Sequence, residues 1–546
     1  LEMIDSRLHT QFGTSRTVPR HTWMSGLFLL TLSLSACNTF PAFDLSPTYQ
    51  PPEYVVPASW RGASPFVEAN PSDGELRPDW WKLYDDPVLD SLVEQAMAAN
   101  PNLQAAAERF LQARDMMMKA RSQYFPRLGL GFGGSDNRAS DNALFFPPGI
   151  SHQAGTVSWG GLASWEPDFW SALRNAARIE TFRAQERAAD FGLARLSLQA
   201  EIGSSYWALR GYDAQIAIYT QSIVLYKRSL DIVKAQFAGA IASALDVARV
   251  ESLLFTTETQ LAKVQGQRQV TEQAIAILVN MAPSNFTIKP VDDLRVATFT
   301  IPRTIPSTVL ERRPDIAGME RQMAQARRAI GIARAAFYPN VTFRVGGGFE
   351  DAGVNLASLA NSFWSYGATV SLPLFQAGFR RAQLQQSWSA YREMEDRYRA
   401  TVLNAFREVE NNLSLTNQLT LAANRQDAAV GATFKAQNLT TELYQGGLAS
   451  SLELIYAQVA TLTARIESVQ IKADLLQSSV ALIRALGGGW NRQQLPNDEQ
   501  IQPFGTFQYV NLSKPTPLKG IDVNADNNSV NNDLTKPFIS NRQLKP

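Results

Sequence analysis

Cysteine and histidine chemistry in this chain rests on four residues: Cys37, His9, His21 and His152. A single thiol excludes an intrachain disulfide framework, and a His/Cys zinc site lacks ligands. A histidine-based triad would have to recruit His152, which sits in a polar, loop-like segment. Gly129-Leu-Gly131-Phe-Gly-Gly134 has the spacing of a dinucleotide fingerprint, but it alternates as a strand does and leads into Ser135-Asp-Asn137. A bound phosphate would need a helix N-terminus there, so the spacing is incidental. Two acids keep a definite pattern: Asp246 follows Ser243, and Glu453 follows Ser450, each by three residues. That is the spacing of a capping box, in which serine and acid satisfy each other's backbone amides at a helix start. No histidine, metal cluster or strongly apolar setting accompanies an acid pair, so general acid–base catalysis has no support.

The elements that must hold these acids are long. Asp168 to Ala282 and Leu374 to Leu495 contain no proline, so nothing in them forces a helix to stop. Ile216, Tyr219, Ile223, Tyr226, Leu230, Val233 and Phe237 recur at spacings of three and four, as do Leu448, Leu452, Ile455, Val459, Leu462, Ile466, Val469, Ala473, Leu476, Val480 and Ile483. Such a rhythm is the seam of a helix packed on neighbours with a left-handed twist. A helix from Asp168 to Phe237 would run roughly 105 Å at ~1.5 Å per residue. Each stretch breaks once, at Phe237-Ala-Gly-Ala-Ile-Ala-Ser-Ala-Leu-Asp246 and at Tyr444-Gln-Gly-Gly-Leu-Ala-Ser-Ser-Leu-Glu453. Glycine and small residues let the chain reverse there. The pattern predicts two antiparallel helical hairpins, with helices over 168–238, 243–281, 376–444 and 450–486.

An internal repeat organises the rest. Pro101 to Gly134 aligns without a gap on Pro314 to Gly347, pairing Gln112-Ala113-Arg114 with Gln325-Ala326-Arg327 and Tyr124-Phe125-Pro126 with Phe337-Tyr338-Pro339. After each proline the period drops to two: Leu128, Leu130 and Phe132 alternate with glycines, and Val341, Phe343 and Val345 with Thr342, Arg344 and Gly346. Val157, Trp159, Ala163 and Trp165 return before Pro167, and Trp364, Tyr366, Ala368, Val370 and Leu372 before Pro373. Strands are therefore expected at 127–137, 154–166, 340–350 and 363–373, within a first repeat over 88–300 and a second over 301–490. Strands of about ten residues with one apolar face have the length and pattern of tilted membrane strands. A soluble two-sided sheet gives the same local pattern. If the strands do span a membrane, four cannot close a barrel without exposing unpaired backbone to lipid, so copies of the chain must associate.

The net charge is +1 without a basic cluster, which disfavours nucleic acid as a partner. Arg16 and Arg20 precede an apolar run, Trp23 to Leu34, that is too short to span a bilayer and ends in Leu34-Ser35-Ala36-Cys37. This ending resembles the lipobox of bacterial lipoproteins. It implies a signal peptide over 1–36 and an S-diacylglycerol with an N-acyl chain such as palmitate on Cys37. Asn38 in place of aspartate favours the outer membrane. Residues 37–87 read as an extended, surface-lying segment, in which Trp80-Trp81-Lys-Leu-Tyr84-Asp-Asp86-Pro87 supplies aromatic packing anchors ahead of a short helix. Residues 491–546 form a polar tail without periodicity, expected to be mobile or draped over an exterior.

The lipobox, Trp80-Trp81 with Asp86-Pro87, Leu310-Glu-Arg-Arg-Pro-Asp-Ile316, Tyr338-Pro339, Tyr444-Gln-Gly-Gly-Leu-Ala-Ser450 and Ala485-Leu-Gly-Gly-Gly-Trp490 occur in that order. Together they resemble TolC-type outer membrane efflux proteins, in the lipoprotein (OprM/NodT-like) branch. The resemblance implies a membrane α+β, TolC-like fold with four strands and long helical hairpins per chain, a trimer closing a 12-stranded β-barrel joined to an α-helical barrel. It implies an exit duct without catalysis in a tripartite pump, partnered by a periplasmic adaptor and an inner-membrane transporter of the resistance-nodulation-division type. By the same resemblance, Glu453 and its repeat counterpart Asp246 would form a cation-favouring periplasmic constriction, with mutual repulsion raising their pKa values. Gly239, Ala240, Ile241 and Ser243, with Gly446, Gly447, Leu448 and Ser450, would be the tips at which the adaptor docks. The alternatives are a type I protein-secretion duct of the same architecture and a periplasmic enzyme or structural protein.

Overall fold

The computed structural model describes residues 42–49, 60, 78–140, 153–294, 309, 311–353 and 355–502. Residues 1–36, where a signal peptide is expected, Cys37, His152, Leu310 and the tail beyond Gln502 lie outside the described residues. The chain forms two compact units.

The smaller unit, residues 42–45, 121–175 and 331–381 among those described, contains the sheet. Its strands β1 (Arg127–Arg138), β2 (Gln153–Trp165), β3 (Asn340–Asp351) and β4 (Ser362–Ser371) are antiparallel and lie in chain order. The register sets Phe132 opposite Trp159, Trp159 opposite Phe349, and Val345 opposite Tyr366. Directly paired residues share a face, so the alternation gathers Leu, Val, Phe, Trp and Tyr on one side. That side is open: Leu130 is 87% exposed and Trp364 74%. The other side carries mostly Gly, Ser and Thr, with Leu162, Phe363 and two arginines among them, and Ser135 is bonded to Thr156 across the β1–β2 pair. In the middle, Gly160 and Gly161 face Gly348 and Gly347. A Cβ on Gly348 would run into the Trp159 carbonyl and lie 2.6 Å from the Gly160 Cα, so this approach tolerates no side chain. Aromatics brace the strand ends next to the helices, where Trp170 stacks on Tyr338 with centroids 4.4 Å apart and donates to the Pro339 carbonyl at 2.9 Å.

The larger unit is helical. Its helices are α1 (Pro87–Ala99), α2 (Pro101–Arg121), α3 (Ala172–Ala238), α4 (Ala244–Leu278), α5 (Pro314–Ala335), α6 (Phe379–Gln445), α7 (Ser451–Ala485) and a single turn, α8 (Asp498–Ile501). The ends of α2 and α5 and the starts of α3 and α6 extend into the smaller unit. The two longest, α3 and α6, have 67 residues each, about 100 Å at ~1.5 Å per residue. The repeat is metrically strict. α2 and α5 both start on a proline, 213 residues apart, as do the starts of β1 and β3. From α3 to α6 and from α4 to α7 the spacing is 207 at both ends of each helix, so the second repeat is shorter between the start of its first strand and the start of its long helix.

The core is aromatic. Trp80, Trp81, Tyr84, Tyr206 and Trp207 are all buried, with Tyr84 bonded to Ser479 at 2.6 Å and Trp80 to Gln199 at 3.2 Å. Tyr206 donates to Asp86 at 2.6 Å, and Asp86 also caps α1 through the amides of Val88 and Leu89. Arg313, from the Arg-Arg-Pro-Asp motif, joins three elements by pairing with Asp315 and Glu408 and donating to the Ala485 carbonyl.

One expectation needs correction. Along α7 the apolar seam is buried only in its second half, from Ala473 to Ile483. Nearer the tip the buried line is Leu454, Gln458, Thr461, Ala464 and Ser468, while Leu452 and Val459 are exposed. Small polar residues permit close approach to α6: Thr461 donates to the Thr433 carbonyl and Ser468 to Asp427. Ile455 and Leu462 instead lean on the Ile223, Tyr226 and Leu230 cluster of α3. The start of the tail docks on the helices, where Ile501 is fully buried against Ala113, Met117 and Ala184.

Candidate functional site at the helix tips

Both hairpins turn by the same device. Ala240, with φ +58°, and Gly447, with φ +72°, take the left-handed conformation after the helix end. The next amide reaches back five residues, Ile241 to the Gln236 carbonyl and Leu448 to the Leu443 carbonyl, each at 2.8 Å. This is a Schellman ending, whose apolar residue usually leans on its own helix. Here Ile241 is 81% and Leu448 80% exposed, so each tip presents an aliphatic side chain to solvent. Gly239 and Gly446 sit in the closing turn just before them.

The returning helices start on full capping boxes. Ser243 accepts from the Asp246 amide while Asp246 accepts from the Ser243 amide, and Ser450 and Glu453 do the same. The tips also touch. Ser451 donates to Asp246 at 2.5 Å and Tyr444 to Gln236 at 2.8 Å, so Asp246 of the first tip is held by the second. Arg249 lies 3.8 Å from the same carboxylate. Side-chain bonds from Ser243 and Ser451, then the Ser243 amide, hold the Asp246 carboxyl down at about 2. Within one chain the direction is therefore opposite to the rise expected from acid–acid repulsion, because hydroxyl and amide donors surround it. The Asp246–Ser451 contact escaped the sequence, since it joins residues 205 apart.

Among the described residues no group of His, Cys, Asp and Glu could hold a metal ion, and no helix is long and apolar enough to cross a membrane. The glycine fingerprint lies within β1 and precedes no helix.

The model of the outer membrane efflux protein family matches residues 92–280 and 305–488, one segment in each repeat. Pyoverdine export outer membrane protein OpmQ of Pseudomonas aeruginosa is 29% identical over 469 residues, 84% of this chain and 96% of that protein. Cation efflux system protein CusC of Escherichia coli O6:H1 is 26% identical over 472 residues, 85% and 98% of the two chains. The solved structure of the outer-membrane channel OprN superposes with a TM-score of 0.76 at 25% identity, covering 82% of this chain and 99% of that one. With two matched repeats and a sheet and helical hairpins that superpose on a TolC-like channel, the chain belongs to the outer membrane efflux protein family.

Proposed function

We propose that this chain is the outer-membrane exit duct of a tripartite efflux pump, working as a trimer and conducting solutes passively. The observation that carries the reading is the sheet: four strands with an exposed apolar face, whose outer members β1 and β4 pair on one side only among the described residues. Such a sheet is stable in lipid only when other copies complete its wall. In this reading three chains supply twelve strands. Lipid on Cys37 anchors each chain, and an adaptor meets the Ile241 and Leu448 tips. Asp246 and Glu453 charge the periplasmic mouth, and an inner-membrane transporter supplies the energy, so no catalytic residue is required. The cargo stays open, since relatives are named for pyoverdine export, cation efflux and toluene efflux.

The test is native mass spectrometry of the detergent-extracted protein together with planar-bilayer recording. A trimer mass carrying lipid, with discrete conductance steps, is expected. A compact monomer that remains in aqueous buffer overturns the reading.

A further inference from the structure

Two arginines stand on the small, polar face of the sheet. Arg127 opens β1 and Arg344 lies in β3. Both are registered opposite Ser164 of β2, so the three residues form one row across the sheet, continued by Gly367 of β4. Neighbouring strands are about 4.8 Å apart, which separates the two arginine backbones by about 10 Å. Long side chains at that distance can converge on one small anion.

Their surroundings leave both guanidiniums uncovered. Both residues are exposed, and among the described residues neither has a carboxylate oxygen within 4.0 Å of its nitrogens. The same face around them holds Gly129, Gly131, Ser164, Thr342, Gly346 and Gly367, with Leu162 as the one large apolar side chain in the next row. Nothing lies within 4 Å of a Cβ built on Gly129, Gly131 or Gly367. The acids nearest in this alternation are Glu166, two residues past Ser164, and Glu350, six residues past Arg344. Neither is paired with an arginine of the row.

We infer that Arg127 and Arg344 form an anion-binding ring on the inner wall of the barrel, engaging carboxylate- or phosphate-bearing solutes in transit. The inference rests on the barrel reading, in which the apolar face meets lipid and the opposite face lines the lumen. Three copies then contribute six guanidiniums to the ring. A planar guanidinium fork donates to carboxylate or phosphate oxygens in bidentate fashion. A wall lined by one sign of charge concentrates counter-ions about tenfold or more. Ser164 and Gly367, the other members of the row, leave arginine as its longest side chain, and beyond Leu162 in the next row it is what a passing solute meets. This charge is opposite to that of Asp246 and Glu453 at the tips.

The experiment uses the full-length, assembled protein in planar bilayers, with inorganic triphosphate as the blocking probe and spermine as the cationic control. Triphosphate should block the wild-type current, and the Arg127→Gln/Arg344→Gln variant should need about tenfold more or higher. The Arg127→Lys/Arg344→Lys variant should restore most of the block, and spermine block should not weaken in the Gln variant. Equal triphosphate block in wild type and Gln variant, or none in a conducting wild type, overturns the ring while leaving the duct. A wild type that assembles but passes no current overturns the duct, and the ring with it.

Discussion

At Asp246 the donors that close a helix start also fix the charge of the tip. Ser243 and Ser451 hold the carboxyl at about 2, below its ordinary value. A carboxylate whose folded pKa lies below its unfolded one contributes stability that is complete above about 4 and is lost as pH falls toward the folded value. In a Glu453→Gln variant, the cation preference owed to Asp246 should therefore stay constant from pH 7 to about 4 and fade only below about 3. Reversal potentials in a salt gradient measure it. A preference already gone at pH 5 would mean that acids meeting at the assembled mouth outweigh the serine donors. Leu448 offers a separate test of the tip, because it is aliphatic, 80% exposed and attached to a turn that its own backbone bonds already close. Replacing it with aspartate should abolish export, read as drug susceptibility, while native mass spectrometry still finds the wild-type oligomer. Wild-type susceptibility would move the adaptor contact elsewhere.

Among the elements, the sheet depends on the close approach of Gly160 and Gly348 and the hairpins on their caps. At Gly348 a side chain would fall on the Trp159 carbonyl and the Gly160 backbone, and backbone cannot rotate away as a flexible side chain can. At Gly129 nothing lies within 4 Å. Gly348→Ala should thus abolish the assembled oligomer on semi-native gels, while Gly129→Ala assembles as wild type; equal behaviour would mean that β2 and β3 separate freely. Ser450→Ala removes half of a complete capping box and should cost about 1 kcal/mol, read as an earlier thermal transition of the helices. The strands and long helices were legible because proline, glycine and a change of period punctuate them, and the capping boxes because their spacing is local. The tip-side half of α7 was misread, since its apolar residues face α3 or solvent while Thr461 and Ser468 pack on α6. Apolarity marks a seam only where no small polar residue fits a closer neighbour. The docking of Ile501 was missed for a related reason: one buried isoleucine in a polar tail has no periodicity to detect.

For the whole molecule, the unpaired strands make the sharpest demand. β1 and β4 each pair on one side among the described residues, yet their exposed faces include Leu128, Leu130 and Phe132 on one strand and Trp364, Tyr366 and Val370 on the other. In water, such edges invite uncontrolled association. In lipid, they leave amides without partners, at several kcal/mol each by the usual order of magnitude. If copies complete the wall, β4 of one chain must pair with β1 of the next, and every amide along both strands gains a fixed acceptor. Hydrogen exchange read by mass spectrometry distinguishes the states. In the membrane-assembled protein, peptides covering 127–138 and 362–371 should be protected as strongly as those covering 153–165 and 340–351. After dissociation to monomer in detergent, outer-strand protection should fall by orders of magnitude, well below that of the inner pair. Outer strands that exchange quickly in the assembled state would mean that the sheet edge stays open, and no barrel of this topology could then seal.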